Sequence, residues 1–360
     1  MTQVVTHGSM IALIFGYGVV LLRGHPRSKG MNAMKFGNRL LIATASALCI
    51  MASPVRASST YLYVADFSHT VLDQFDGQTG ALLNRFPVNA AGYVAINHSD
   101  NVWANVDTSF WSNTLVSPSG AVLGATSGGP TPGRLQGAVI GPDDNLYVSD
   151  HRDNQILEYD GSTGGYIRTF VSSINGPTGL TFGADGNLYA ASNNTSSVFE
   201  YQGSTGALLS TFVSSGYGAL NDPNALEFGP DGNLFVVSTG TQSVKEYDGA
   251  TGSYLGDFTQ GGLLTNSIGM EFGPNGNLFV TSQGPNPGQG GGILEYNGTT
   301  GHYMGVFAST SLINPQGIEF TPTPAPVPEL PTPLLLSLGV LVSAMTHRFR
   351  SGNKALPLGV

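Results

Sequence analysis

The chain has 360 residues, of which 10% are charged, with 50 glycines and 21 prolines; long charged helices and coiled coils are excluded by such a composition. A hydrophobic content of 41%, including 14 Tyr and 18 Phe, is enough to bury a core, so the chain reads as folded, turn-rich and all-β rather than disordered. The net charge of −9 is unevenly spread: residues 58–320 hold 22 acidic and five basic side chains. Such a body repels nucleic-acid phosphates and anionic membrane surfaces, leaving cations, neutral glycans or basic proteins as partners.

Residues 1–30 contain an apolar stretch from Ile11 to Leu22. It reads as a dispensable extension: either translation starts near Met31 or Met34, or the export signal is unusually long. Residues 31–57 form a secretory signal, with Lys35 and Arg39 before the apolar run Leu40–Ala52 and a small residue, Ala57, before the cleavage point. That order of basic, apolar and small residues is the export pattern. Cys49, the single cysteine, lies inside it, so the mature chain carries no thiol and no disulfide.

From residue 58 to 320 one phrase recurs: Gly141-Pro-Asp-Asp-Asn-Leu-Tyr147, Gly183-Ala-Asp-Gly-Asn-Leu-Tyr189, Gly229-Pro-Asp-Gly-Asn-Leu-Phe235 and Gly273-Pro-Asn-Gly-Asn-Leu-Phe279. The asparagines at 145, 187, 233 and 277 keep the period of a β-propeller blade. Weaker copies around Asn101 and Tyr61 bring the total to six. A second phrase, Glu158-Tyr-Asp-Gly-Ser-Thr-Gly164 and its equivalents at Glu200, Glu246 and Glu295, keeps the same beat. Its Asp/Asn-Gly pairs are expected to supply the positive φ of tight hairpin turns.

Gly317-Ile-Glu-Phe320 matches the first strand of a unit that lacks a second, whereas Tyr61 begins at a second strand that lacks a first. Pairing the two completes a blade and removes open edges. The expected fold is a monomeric, all-β, six-bladed propeller closed by its C-terminal strand.

After Phe320 the alternating prolines of 321–333 read as an extended spacer. Then come Pro328-Glu329-Leu330, an apolar helix and a basic end containing Arg348 and Arg350 within 334–350, and a short tail, 351–360. This tripartite end resembles the PEP-CTERM sorting signal of exported Gram-negative proteins, with Leu330 where that signal has a second proline. The resemblance implies an exosortase-like membrane transpeptidase as a partner. It also implies transfer across the inner membrane to the cell envelope, surface or extracellular space, with transient or stable anchoring by the C-terminal helix.

The propeller phrases resemble NHL-repeat and gluconolactonase-like propellers, which implies a site at the mouth of the central channel. Positions there are Gly92, Gln136, Thr178, Asn224, Ile268 and Gln316 before the innermost strands, and Asp66, Val106, Asp150, Ser192, Ser238 and Ser282 ending the second strands. The gluconolactonase-like enzymes hold a divalent cation with a Glu and several Asn/Asp, and none of these positions is a Glu. Asp66 and Asp150, with carbonyl oxygens from Asn224 and Gln136, form the candidate Ca²⁺ or Mg²⁺ set. His151 is the candidate base, by similarity to streptogramin-lyase-like propellers that use a histidine with Mg²⁺. Trp111 is a candidate sugar-stacking residue, and Trp103, in the register of Tyr147, is expected in the core.

Two functions are expected from these features. One is an exported propeller that binds a protein or polysaccharide of the extracellular matrix as a scaffold; the other is a metal-dependent lactonase or lyase at the channel mouth.

Overall fold

In the computed structural model, residues 3–7, 10–15, 18–23, 60–88, 90–106, 112–262, 264–284, 291–309 and 312–321 are described. The chain divides into two compact units, one of which spans Arg56–Glu329 and contains the propeller. In the other, Gln3–His7, Met10–Phe15 and Gly18–Arg23 form an antiparallel three-stranded meander. The secretory signal, the proline spacer beyond Thr321 and the sorting tail lie outside the described residues. Among the described residues, no helix is long and apolar enough to cross a membrane.

The propeller has six four-stranded antiparallel sheets. Blade 1 combines the C-terminal strand Pro315–Phe320 with Tyr61–Asp66, Val71–Asp76 and Leu82–Phe86. Blades 2 to 6 are contiguous, at 90–125, 135–171, 177–213, 223–257 and 270–308. The closing strand pairs Pro315 with Asp66 and Phe320 with Leu62, as the complementary half-repeats predict. The Tyr61 amide donates to Thr321 Oγ1 across 260 residues of sequence.

The second strands of blades 3 to 6 are buried at every position. Both faces of these short strands are covered by neighbouring blades, which explains their continuous Leu, Tyr, Phe and Val. A hydrophobic cluster fills each blade interface, such as Phe235, Val237, Leu278, Val280 and Tyr296 between blades 5 and 6. The aromatic of the recurring phrase stands edge-on between two others: Tyr147 lies 4.9 Å from Phe170 and 5.1 Å from Phe182, and Tyr189, Phe235 and Phe279 repeat the arrangement. Each such pair contributes about 0.5–1.5 kcal/mol beyond burial. Trp103 is fully buried and donates Nε1–H to the Gly161 carbonyl at 2.8 Å.

The turn chemistry differs in one detail from the expectation. In Asp160-Gly161-Ser162-Thr163-Gly164 the positive φ, 75°, falls on Gly164. Asp160 Oδ1 accepts from the Ser162 and Thr163 amides and the Thr163 hydroxyl, closing the turn without help from Gly161. Gly161 serves close approach instead: a Cβ there would lie 2.0 Å from the Asp144 carbonyl oxygen. The inner strands also start earlier than the phrase suggests, at Pro177 and Pro315, through a bulge between Pro177 and Leu180 and between Pro315 and Ile318.

Candidate functional site

The recurring Asn and Glu are the stitching of each blade. Asn145, Asn187, Asn233 and Asn277 donate Nδ2–H to Oε1 of Glu158, Glu200, Glu246 and Glu295 at 2.9, 2.8, 2.8 and 2.7 Å. The first oxygen of each glutamate is therefore committed to the fold.

At the mouth, the residue ending the second strand clasps the loop that enters the inner strand in blades 1 and 3 to 6. Ser238 Oγ accepts from the Asn221 amide and donates to the Asn221 carbonyl. Ser192 Oγ donates to the Asn175 carbonyl, and Ser282 Oγ accepts from the Thr265 amide. Asp66 does the same work with four bonds: its oxygens accept from the amides of Ser68, Ile313 and Asn314 and pair with His69 Nδ1. Asp150 accepts from the Gly133, Arg134 and Asp153 amides and from Gln155 Nε2. Both aspartates are wholly buried, and a carboxylate has about four acceptor directions. They sit in blades 1 and 3, and a cation there would first have to displace the backbone.

The other candidates are placed as follows. Gln136 and Asn224 line the channel, whereas Asp66 and Asp150 are set back from it. Asn224 Nδ2 donates to Thr239 Oγ1 at 2.8 Å. His151 is half-buried beside Gly176 and Asn194. Its pKa is pushed down by burial first and then by the Arg134 guanidinium, against the opposing pull of Asp150 and Asp222. Among the described residues, no group of three or more His, Cys, Asp or Glu is arranged to hold a metal. Trp111 lies outside the described residues.

Three channel residues escaped the sequence reading. Glu227, Glu271 and Glu319 line the channel from the inner strands of blades 5, 6 and 1, where the other three blades carry Thr181, Val139 and Ala95. The channel encloses about 220 Å³, room for several waters. Burial drives the Glu227 and Glu319 carboxyls up to about 8; Glu271, flanked by both, goes well above its ordinary value. The Phe272 amide donates to Glu227 Oε2 at 2.9 Å and moderates its rise. The signal was present as Leu-Glu-Phe228, Met-Glu-Phe272 and Ile-Glu-Phe320, three residues beyond the mouth positions.

At the rim, every outermost strand exposes an apolar residue at one register: Leu83, Leu123, Ile167, Leu209, Leu255 and Met304, each between 45% and 55% exposed. Soluble proteins scatter single apolar residues over their surfaces, but a ring repeated at one register is an ordered feature.

No family model matches the chain, and no curated protein matches it. Solved structures do match in fold. A Bacteroides caccae protein of unknown function aligns with a TM-score of 0.59 at 17% identity, over 72% of this chain and 98% of that one. A chain of a nidogen/laminin complex aligns with a TM-score of 0.57 at 18% identity, over 74% and 100%. A Bacteroides uniformis protein described as a candidate 6-phosphogluconolactonase aligns with a TM-score of 0.50 at 18% identity, over 74% and 87%. At such identities the likeness carries the six-bladed fold and nothing finer.

Proposed function

We propose that this propeller is an exported binding scaffold that engages a protein or polysaccharide of the extracellular matrix through its outer rim. The observation that carries the reading is the contrast in saturation. The mouth carboxylates spend their acceptors on the chain's own amides and side chains, while the rim leaves a ring of apolar side chains in water. Burying that ring against a partner is favourable at roughly 25 cal/mol per Å² of apolar area. The signal at 31–57 and the tail carrying Pro328, Glu329, Leu330, Arg348 and Arg350 support export to the envelope and handling by an exosortase-like transpeptidase. The chain of the nidogen/laminin complex offers a precedent for this fold within a protein–protein assembly.

Retention of the purified protein on the secreted matrix of its producing cells, separated into protein and polysaccharide fractions, tests the reading. Wild-type protein is expected to sediment with one fraction. A variant with serine at all six rim positions is expected to remain in solution while melting at nearly the same temperature. Equal retention of both proteins sinks the proposal.

A further inference from the structure

Blade 3 contains an internal template for a ligand that three other blades lack. Glu158 on the third strand pairs directly with Arg168 on the outermost strand. Arg168 Nε–H donates to Glu158 Oε2 at 2.6 Å, its Nη2 donates to the Ser204 carbonyl of the next blade's turn at 3.1 Å, and its guanidinium carbon lies 5.0 Å from the centre of the Phe170 ring. Under this cover Glu158 is only 3% exposed. A charge-assisted bond, a carbonyl and an aromatic face are what a guanidinium seeks.

The next three blades keep the receptor and lose the arginine. Glu200, Glu246 and Glu295 are each half-buried rather than covered, and opposite them stand Ser210, Gly256 and Gly305. The aromatic remains, as Phe212, Phe258 and Phe307. In blade 4 Ser210 Oγ donates to Glu200 Oε2 at 2.9 Å, and a groove of about 920 Å³ opens over it, walled on the far side by the turn Gly249-Ala250-Thr251. In blades 5 and 6 the second oxygens of Glu246 and Glu295 accept no hydrogen bond among the described residues. A Cβ built on Gly256 or Gly305 would meet nothing within 4 Å, so the space above both carboxylates is open.

The geometry points to these three consecutive grooves as receptors for arginine side chains of a basic protein segment that lies along the rim. Charge agrees: the body has 22 acidic and five basic residues, and Arg85, Arg168 and Lys245 are already paired with Asp73, Glu158 and Asp257. The exposed Leu209, Leu255 and Met304 adjoin the same grooves and supply the apolar part of the footprint. This inference rests on the reading of the rim as the binding face and names the chemistry of its partner.

Calorimetric titration of the purified protein with octa-arginine and octa-lysine peptides at physiological salt tests it. Octa-arginine is expected to bind at least tenfold tighter than octa-lysine, since lysine offers neither the planar fork nor the stacking face. Glu246→Gln combined with Glu295→Gln is expected to weaken octa-arginine at least tenfold. Asp100→Asn combined with Asp144→Asn removes the same charge at left-handed turn positions that asparagine tolerates, and is expected to change affinity less than threefold. Ser210→Arg, which fills blade 4 as Arg168 fills blade 3, is expected to fold normally and weaken binding. Equal affinity for the two peptides, or equal losses in the two double variants, overturns the arginine receptors. Matrix retention that still depends on the six rim residues would then leave the rim reading standing.

Discussion

At the channel mouth, Asp66 and Asp150 are wholly buried with every acceptor direction filled. At the rim, Glu246 and Glu295 are half in water, each with one oxygen bonded to an asparagine and the other to no protein group among the described residues. The same side-chain chemistry is spent on structure in one place and leaves an acceptor open in the other. Counting lone pairs separates the two, whereas position relative to a known enzyme's mouth does not.

The largest effect is expected from emptying a clasp. Asp66→Ala strips acceptors from the Ile313 and Asn314 amides that hold the closing strand, and is expected to cost about 3–5 kcal/mol in urea unfolding. A loss under 1 kcal/mol would mean that the mouth carboxylates are free for other work. The metal-dependent alternative is checked on the same side of the molecule: melting in chelator and then with calcium, magnesium or zinc is expected to give no ion-specific shift. A shift with one ion that disappears in Asn224→Ala would move the reading to mouth chemistry.

A middle-sized effect is expected in the channel. The Glu227 and Glu319 carboxyls are raised to about 8 and Glu271 is raised further. Below the ordinary glutamate pKa both folded and unfolded chains are protonated. Between there and about 8 the folded chain holds more protons, so stability falls as pH rises through that window. Glu271→Gln is expected to flatten the profile and to add on the order of 1–3 kcal/mol at pH 8. A melting temperature independent of pH from 5 to 9 would contradict this. The smallest effect is expected at the rim, where serine at any one of the six apolar positions should change stability by less than about 0.5 kcal/mol; a large loss there would show that the ring is packing rather than display.

The fold was legible because its signals are local and repeated. Turn residues recur at one period, and the half-repeats at Tyr61 and Gly317 complement each other. The second-strand mouth positions were legible too, since Asp66, Asp150, Ser192, Ser238 and Ser282 end their strands as expected. What the residues there do was not, because two of the three amides that bond Asp66 come from 247 and 248 residues away. The grooves were hidden for a different reason. Outer strands slip register at a bulge, between Glu200 and Tyr201 for example, so equal spacing along the sequence does not reveal that Arg168, Ser210, Gly256 and Gly305 face the recurring glutamate.

Closure by the last strand has a consequence for how the molecule comes into being. Blade 1 keeps a bare inner edge at Tyr61–Asp66 from the moment those residues are made until Pro315–Phe320 arrives. In the interval that edge accepts any strand of matching pattern, and the inner strands of the other five blades resemble the missing one. A concentrated solution of chains shortened before residue 315 is therefore expected to associate through the unpaired Tyr61–Asp66 edge into oligomers, where the complete chain seals itself.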